Sequence, residues 1–451
     1  MITELGKDAQ CAEQRCPPPL RPHFYSAPLA GADPHEKNAA DRYPSTVASV
    51  WFDTLYDLIR SERTAPPPAS RIYGVTAVAL YEGVAPGSLE NRPLVGQLNG
   101  LTSVPRPRNN LEKYHWSAVA NAALARTIRG IFTSLTPANR AAVDALESAF
   151  GGQFQARSKK KDFERSVDHG RAVADAILEW AAADGFATFE GCPYVPAPVS
   201  GAWQPTPPAF APNPVEPCWG QIRPMVLLSG EECAPPIHPV FSTDPGSACF
   251  AAAREVYETS VTLTDEQKAI ADFWADNPGA TGTPPGHWIA LVGQIARSDG
   301  LSLAAAAEAY ARVGIAVTDA FVQCWNTKYA DNLQRPVTFI QEHVAPGWLP
   351  YLATPAFPTY TSGHSTQSGA AATVPADLFG SRSFTDTIRA DHHLTPPLAP
   401  RTFASFDEAA AEAAISRLYA GIHFSFDNRD GLASGQCAAR TILERVRFKE
   451  D

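Results

Sequence analysis

A proline-rich stretch divides this sequence into two parts. Residues 191–245 hold fourteen of the 41 prolines, and proline neither continues a helix nor sits inside a central strand. The same stretch contains Trp203, Trp219 and Phe241, whereas flexible linkers are poor in large aromatic residues. We therefore expect an irregular connector that packs against regular structure on either side.

The two flanking parts show the period of amphipathic helices. Val47, Val50, Trp51, Leu55 and Leu58 recur at three- and four-residue steps after a helix-start sequence, and no strand pattern or short repeat is visible. Similar patterns predict further helices over residues 70–84, 113–134, 137–150, 160–184, 249–260, 264–275, 286–297, 302–333, 365–379, 406–420 and 425–446.

These helices predict an all-α fold with two four-helix-bundle-like halves joined by a long Pro-rich connector. With 451 residues the chain is long enough to bury a sizeable core. The predicted divisions are an N-terminal extension over 1–44, a first helical bundle over 45–190, the packed connector over 191–248, and a second bundle over 249–451.

Charge and hydropathy exclude several classes of partner. The net charge of −10 argues against nucleic acid and against an anionic membrane surface. No run of eighteen apolar residues appears, so we expect no membrane span. The first residues lack the apolar core of a signal peptide. The sequence therefore predicts a soluble protein with no visible leader, and leaves the compartment unknown.

The cysteines form no C-x-x-C pattern of a zinc or thioredoxin site. We expect most of them to be buried free thiols, with one or two disulfides between residues 192 and 249 as the alternative. The eight are Cys11, Cys16, Cys192, Cys218, Cys233, Cys249, Cys324 and Cys437.

The sequence Ser362-Gly363-His364 places a hydroxyl, a glycine and an imidazole on consecutive residues. Small residues follow and predict the start of a helix. The N–H groups and dipole of a helix N-terminus favour an anion, and Gly363 would let that anion approach the backbone. His364 would then act as an acid or base beside it.

Two further segments supply cations. Lys328 and Arg335 are seven residues apart, so two helical turns would put them on one face. Arg417 and His423 are six apart, which predicts a break in the helix between them. Asp427 follows His423 by four residues and could orient its imidazole. Three converging cations would repel one another unless an anion lay among them.

In order, the three segments read K-x6-R-P, S-G-H and S-R-x3-G-x-H-x3-D. This arrangement resembles the oxyanion site of vanadium-dependent haloperoxidases and of their relatives, the bacterial acid phosphatases and type 2 phosphatidic acid phosphatases. The resemblance implies paired helical bundles and a vanadate cofactor, whose site phosphate could occupy instead. Its oxygens would be held by Lys328, Arg335, Ser362, the Gly363 N–H and Arg417, and its metal by His423.

The resemblance also implies roles in turnover. His364 would exchange a proton at the bound oxygens, and Lys328 would polarise bound peroxide. Asp276 lies in a segment, residues 273–285, that resembles the family segment whose aspartate pairs with the site arginines. Trp325 and Phe357 would wall the halide pocket; fungal chloroperoxidases carry Phe at the matching position, and algal bromoperoxidases carry His.

Several polar residues depart from this pattern or lie outside it. Thr361 stands where the family usually has proline, and Ser365 where it usually has a small apolar residue, which we expect to loosen the loop and add polarity. The histidines outside the motifs are interpreted as surface or loop residues, with one exception for its closeness to Asp276, namely His287; the others are His343, His392 and His393.

Three functions follow from these residues. The first is a haloperoxidase acting on hydrogen peroxide, a halide and a small organic acceptor, with bromide and iodide oxidised and chloride weakly if at all. The second is an acid phosphatase (phosphomonoesterase) with His423 as nucleophile and His364 as general acid. The third is an oxyanion-binding protein without turnover. A homodimer is left open.

Overall fold

The computed structural model describes residues 39–107, 113–195 and 199–450. Within these ranges nearly all regular structure is helical, as predicted. The helices are α1 Thr46–Ser61, α2 Pro66–Val84, α3 Trp116–Ile131, α4 Pro137–Ala156, α5 Lys160–Ala182, α6 Phe186–Phe189, α7 Ala248–Val261, α8 Asp265–Phe273, α9 Thr283–Ser298, α10 Leu303–Asp331, α11 Pro336–His343, α12 Gly363–Phe379, α13 Ile388–Asp391, α14 Phe406–Tyr419 and α15 Ser425–Arg445. Short 3-10 turns cover Ala40–Arg42, Ala85–Gly87 and Trp219–Gln221.

The expectation of no strands is wrong for six residues. β1 (Phe384–Asp386) pairs antiparallel with β2 (Arg401–Phe403), with Thr385 opposite Thr402. Strands of three residues are too short to show an alternating pattern. The sequence reading also missed α6, α11 and α13, of which the longest has eight residues.

Helix α10 lies at the centre of the fold. It is buried over most of its length and packs against both α2 and α12. α2 contacts α3, and α3 packs on α5, while α12 also contacts α14 and α15. One apolar core therefore extends through both sets of helices, and the domain limits drawn from the sequence remain a prediction.

α12 and α15 approach each other closely through glycine. A Cβ on Gly435 of α15 would lie 1.8 Å from the carbonyl oxygen of Thr366, and a Cβ on Gly369 of α12 would lie 2.3 Å from that of Leu432. Because neither position has room for a side chain, the backbones pack directly. This brings the first turns of α12 and α15 together beside the end of α10.

Hydrogen bonds tie the connector to helix α10. The carboxylate of Asp319 on α10 accepts the N–H groups of Met225, Val226 and Leu227 at 2.6–2.9 Å. Burial raises the pKa of this carboxylate to about 6. No helix among the described residues is long and apolar enough to cross a membrane.

The expectation of mostly free thiols is wrong, because four of the six cysteines in the described ranges form disulfides. Cys192 pairs with Cys218 inside the connector, and Cys233 pairs with Cys437 of α15. The second pair joins residues 204 positions apart, so spacing alone did not indicate it. Cys249 and Cys324 are free and buried. Cys11, Cys16 and most of the predicted N-terminal extension lie outside the described residues.

Candidate active site

Lys328 lies in the last turn of α10 and is fully buried. Its Nζ donates to the carbonyl oxygens of Pro358 and Thr359, each at 3.0 Å, and to that of Thr361. Burial is the main cause that lowers the Lys328 pKa to about 7, and the nearby charge of Arg335 adds to it. All three N–H groups of the ammonium are therefore engaged by one loop.

The Arg335 side chain lies close to that of Lys328, but Arg335 does not belong to α10 as predicted. α10 ends at Asp331, because Asn332 takes the left-handed conformation with φ of 51°, and Arg335 is the cap residue before α11. The predicted shared helical face is therefore wrong. The two cations still converge, since Lys328 Nζ and Arg335 Cζ lie 4.9 and 4.6 Å from the centre of the Phe357 ring.

The Arg335 guanidinium is fixed on one side and free on the other. Its Nε donates to the Phe357 carbonyl at 2.7 Å, and its Nη1 donates to the Ile422 carbonyl at 2.9 Å. Nη1 also lies 3.1 Å from Nε2 of His423. The remaining nitrogen, Nη2, is buried and has no hydrogen-bond partner. A buried donor of this kind is costly unless an acceptor meets it.

His423 follows a break in the chain, as the spacing predicted. α14 ends at Tyr419, and Gly421 has a positive φ of 76°. The imidazole Nδ1 lies 2.9 Å from Asp427 Oδ2 and 3.1 Å from Thr359 Oγ1. The carboxylate fixes the ring by accepting the Nδ1 proton, so that the lone pair of Nε2 faces Arg335.

Ser362 is the cap residue of α12, and Gly363 is its first residue. The Ser362 Oγ accepts the Ser365 N–H at 3.3 Å. A Cβ on Gly363 would lie 3.2 Å from the Trp325 ring, so the glycine keeps the helix N-terminus close to that wall. The first N–H groups of a helix have no partner within it, and here they open beside the cationic cluster.

The two departures from the family pattern are both buried and bonded. The Thr361 hydroxyl lies 3.1 Å from Thr366 Oγ1. The Ser365 hydroxyl lies 2.9 Å from Ser362 Oγ and 3.2 Å from Asn428 Oδ1. The expected loosening of the loop is therefore wrong, because both hydroxyls tie the loop to α12 and α15.

His364 projects from the first turn of α12 and is partly exposed. Its Nε2 lies 3.5 Å from Arg417 Nη1, and the ring also hydrogen-bonds the backbone of Trp274. Arg417 is held by its own contacts, with Nη2 donating to the Ala271 carbonyl at 3.2 Å. Burial first, and then the Arg417 charge, lower the His364 pKa well below its ordinary value.

Aromatic residues close one side of the cluster. Trp325 and Phe357 lie 5.1 Å apart between ring centres. The Trp325 indole donates to the Val215 carbonyl at 3.1 Å, and the Tyr329 hydroxyl donates to the same oxygen at 2.7 Å. Val215 belongs to the connector, so this region helps to fix the wall. Sequence reading missed both Val215 and Thr359, which act through a backbone carbonyl and a short hydroxyl.

The resemblance implied that Asp276 pairs with a site arginine, but in the structure it hydrogen-bonds His287 instead. Its Oδ2 lies 3.0 Å from Nδ1 of His287, whose Nε2 lies 2.6 Å from Asp386 Oδ2. Both His287 and His392 are buried. His392 lies in the turn after α13, so its interpretation as a surface or loop residue is wrong about the surface and right about the loop. The Tyr56 ring that stacks on His392 could not be foreseen from the sequence.

Burial and neighbouring cations make this place unfavourable for positive charge. Burial lowers the pKa of Arg335 to about 9 and that of Arg417 to about 10. Burial first, and then the neighbouring cations, hold the pKa of His423 well below its ordinary value. Each shift reports unfavourable charge in a dry pocket, which an anion among the cations would relieve.

The comparisons with known proteins agree with this geometry. The family model for the VCPO second helical-bundle domain matches residues 308–449. A crystal structure described as the first bacterial vanadium-dependent iodoperoxidase is 34% identical, covers 90% of this chain and 98% of its own, and has a TM-score of 0.83.

The chain belongs to the vanadium-dependent haloperoxidases.

Other relatives are more distant. The vanadium chloroperoxidase of Curvularia inaequalis is 28% identical over 235 residues, which are 39% of this chain and 37% of that protein; the alignment thus spans little more than a third of the relative. A holo-type bacterial vanadium-dependent chloroperoxidase shares the fold at 18% identity, with a TM-score of 0.63 over 83% of this chain and 91% of its own.

Vanadate is the cofactor that family membership implies for this haloperoxidase, and the residues fit it. The unpartnered Nη2 of Arg335 offers a buried donor. The N-terminus of α12 adds N–H groups at Gly363, where a side chain would crowd Trp325. Nε2 of His423 offers one nitrogen ligand. The predicted all-α fold and the predicted family are both confirmed.

Proposed function

We propose that this haloperoxidase oxidises bromide and iodide with hydrogen peroxide, that chloride is a weak substrate or none, and that small organic acceptors are halogenated. The observation that carries the proposal is the buried set of Lys328, Arg335 and Arg417 around Nε2 of His423, with Arg335 Nη2 unpartnered. Such a set suits a tetrahedral or trigonal-bipyramidal oxyanion with one nitrogen ligand.

The cofactor is held mainly by charge and by fixed donors. Lys328, Arg335 and Arg417 would neutralise the oxyanion, and the Ser362 hydroxyl and Gly363 N–H would bind its oxygens. When bound, vanadate supplies Lewis-acid activation of hydrogen peroxide without a change in its own oxidation state.

His423 and His364 have separate tasks. Asp427 accepts the Nδ1 proton of His423, which leaves Nε2 as the ligand atom. His364 is neutral at ordinary pH, because burial and Arg417 lower its pKa, and it therefore accepts a proton at its ring nitrogen from incoming peroxide. The same nitrogen returns the proton to the oxygen that leaves.

The contacts of Lys328 favour the more easily oxidised halides. Its three N–H groups already donate to the carbonyls of Pro358, Thr359 and Thr361, so little donor capacity remains to withdraw electrons from peroxide. Trp325 and Phe357 keep water out of the pocket, which strengthens the remaining electrostatic effect of Lys328 on peroxide. Bromide and iodide are oxidised by a less strongly activated peroxide than chloride requires. We therefore place the limit of the enzyme's oxidising power between bromide and chloride.

A halide series tests the proposal. Protein loaded with vanadate receives hydrogen peroxide, monochlorodimedone and chloride, bromide or iodide at mildly acid pH, and aryl phosphate hydrolysis is measured without vanadate. We expect vanadate-dependent turnover with bromide and iodide. Chloride turnover equal to bromide would overturn the halide assignment. Phosphate ester hydrolysis without halide oxidation would favour the acid phosphatase, with His423 as nucleophile.

A further inference from the structure

A buried imidazole beside the site is held between two carboxylates. His287 lies in the first turns of α9, with Nδ1 3.0 Å from Asp276 Oδ2 and Nε2 2.6 Å from Asp386 Oδ2. All three side chains are only 2% exposed. A neutral imidazole has one N–H, so hydrogen bonds from both nitrogens to two ionised carboxylates require the doubly protonated ring.

This group contacts the site through Trp274. The Trp274 indole stacks on His287, with ring centres 4.6 Å apart and planes 22° from parallel. The backbone of Trp274 accepts the hydrogen bond of His364, and the indole Nε1 donates to Glu412 at 3.0 Å. The residue that holds His364 is therefore packed on His287.

The charge of Asp276 also reaches the site. Asp276 lies in the segment after α8, two residues beyond Trp274. Arg389 fixes that segment by donating to the carbonyls of Phe273 and Asp272 at 3.0 and 2.7 Å. The carboxylate acts electrostatically on both Arg417 and His364.

We propose that His287 is a positioning residue for the halide-oxidising reaction: bridging Asp276 and Asp386, it holds the Asp276 carboxylate as a fixed negative charge beside Arg417 and His364. The inference rests on the proposed function, because its readout is turnover. His287 is not among the hydrogen-bond partners of the oxyanion-binding groups, so its effect passes through Asp276 and Trp274 and, more weakly, through its own charge on His364.

The charges of the group agree with this role. Burial alone would raise the pKa of Asp276, but the His287 charge brings it down to about 2. Burial would likewise lower the pKa of His287, and the two carboxylates instead raise it to about 10. With both carboxylates ionised, the group carries one net negative charge, and Asp276 interacts electrostatically with Arg389, Arg417 and His364.

A double-mutant cycle tests the proposal. Asp276→Asn, His287→Gln and the double variant are compared with wild type for kcat, for the KM of bromide and for the Kd of vanadate by titration calorimetry. We expect His287→Gln to lower kcat about 10–100-fold with little change in KM. The double variant should match Asp276→Asn alone, since the two residues act as one unit.

Vanadate binding separates positioning from a general loss of structure. Without His287, one buried carboxylate protonates, so the group keeps one net negative charge and the Kd of vanadate should stay nearly unchanged. The matched control is His392→Gln: this buried histidine also lies near two carboxylates, those of Asp53 and Asp57, at 3.9 and 3.6 Å. The His392→Gln variant should keep the wild-type kcat.

The other results of these experiments either overturn the role proposed for His287 or count against the proposed function. Additive losses of kcat in the cycle, or weaker vanadate binding in His287→Gln, would overturn the proposal. If His287→Gln does not fold, Asp386→Asn replaces it in the same cycle, and an unchanged kcat in that variant would also overturn the proposal. A wild-type protein without bromide oxidation would count against the proposed function alone.

Discussion

Two buried histidines in this haloperoxidase have opposite protonation. His423 is exposed by 2% and contacts one carboxylate, yet its pKa lies well below the ordinary value because burial adds to the charges of Arg335 and Lys328. His287 is equally buried, but Asp276 and Asp386 raise its pKa to about 10. Burial is the same in both places, so the neighbouring charges decide which histidine can offer a neutral nitrogen to a metal and which is a cation.

Of the changes around these two histidines, removal of His423 should have the largest effect on vanadate binding. We expect His423→Ala to abolish vanadate binding, because the only nitrogen ligand proposed for the metal is lost. His364→Ala is the matched variant and should still bind vanadate, while its kcat falls roughly 10²–10⁴-fold. Titration calorimetry and bromide kinetics on both variants measure this. Equal loss of affinity in both would show that the two roles are assigned wrongly.

A smaller effect should follow from changing only the partner of His423. In Asp427→Asn the amide can no longer accept the Nδ1 proton as a carboxylate does, so Nε2 is a poorer ligand. We expect the vanadate Kd to rise about 10–100-fold. Asp430→Asn is the control, because Asp430 contacts Tyr360 and Arg429 instead. An unchanged Kd in Asp427→Asn would mean that the carboxylate does not orient the ligand.

The mildest test changes pH alone. The Lys328 pKa is lowered to about 7 by burial, and an anion binds the protonated ammonium. Below pH 7 the proton is already in place; above it, binding must take up a proton, so affinity should fall roughly tenfold per pH unit. Sulfate, which does not titrate between pH 6.5 and 8.5, is the probe for calorimetry.

Lys328→Arg provides the control for this pH dependence, because a guanidinium keeps its proton throughout the same range. Its sulfate affinity should therefore change little with pH. A wild-type affinity that is also independent of pH would contradict the assignment of a neutral Lys328 above pH 7 in the anion-free protein.

The sequence predicted the helices and the main residues of the basic cluster because both depend on local spacing. Periodic apolar residues indicate helices, and the motifs around Lys328, Ser362 and His423 keep their internal intervals. The helix break before His423 also followed from spacing, since six residues do not share one helical face.

The remaining features depend on tertiary contacts and could not be predicted. Val215 and Pro358 act through carbonyl oxygens, which every residue has. His287 and Asp386 are 99 residues apart, and no local pattern links them. The shared face expected for Lys328 and Arg335 failed because Asn332 ends α10 in a left-handed conformation, a possibility that helical spacing does not exclude.

Vanadate titration of the metal-free protein tests the central claim most directly. If the buried cations around His423 form a single oxyanion site, calorimetry will show one vanadate bound per chain, and phosphate added first will weaken that binding by competition. The same protein should gain bromide oxidation in proportion to the vanadate bound. Absence of vanadate binding, or binding that phosphate does not affect, would contradict the account.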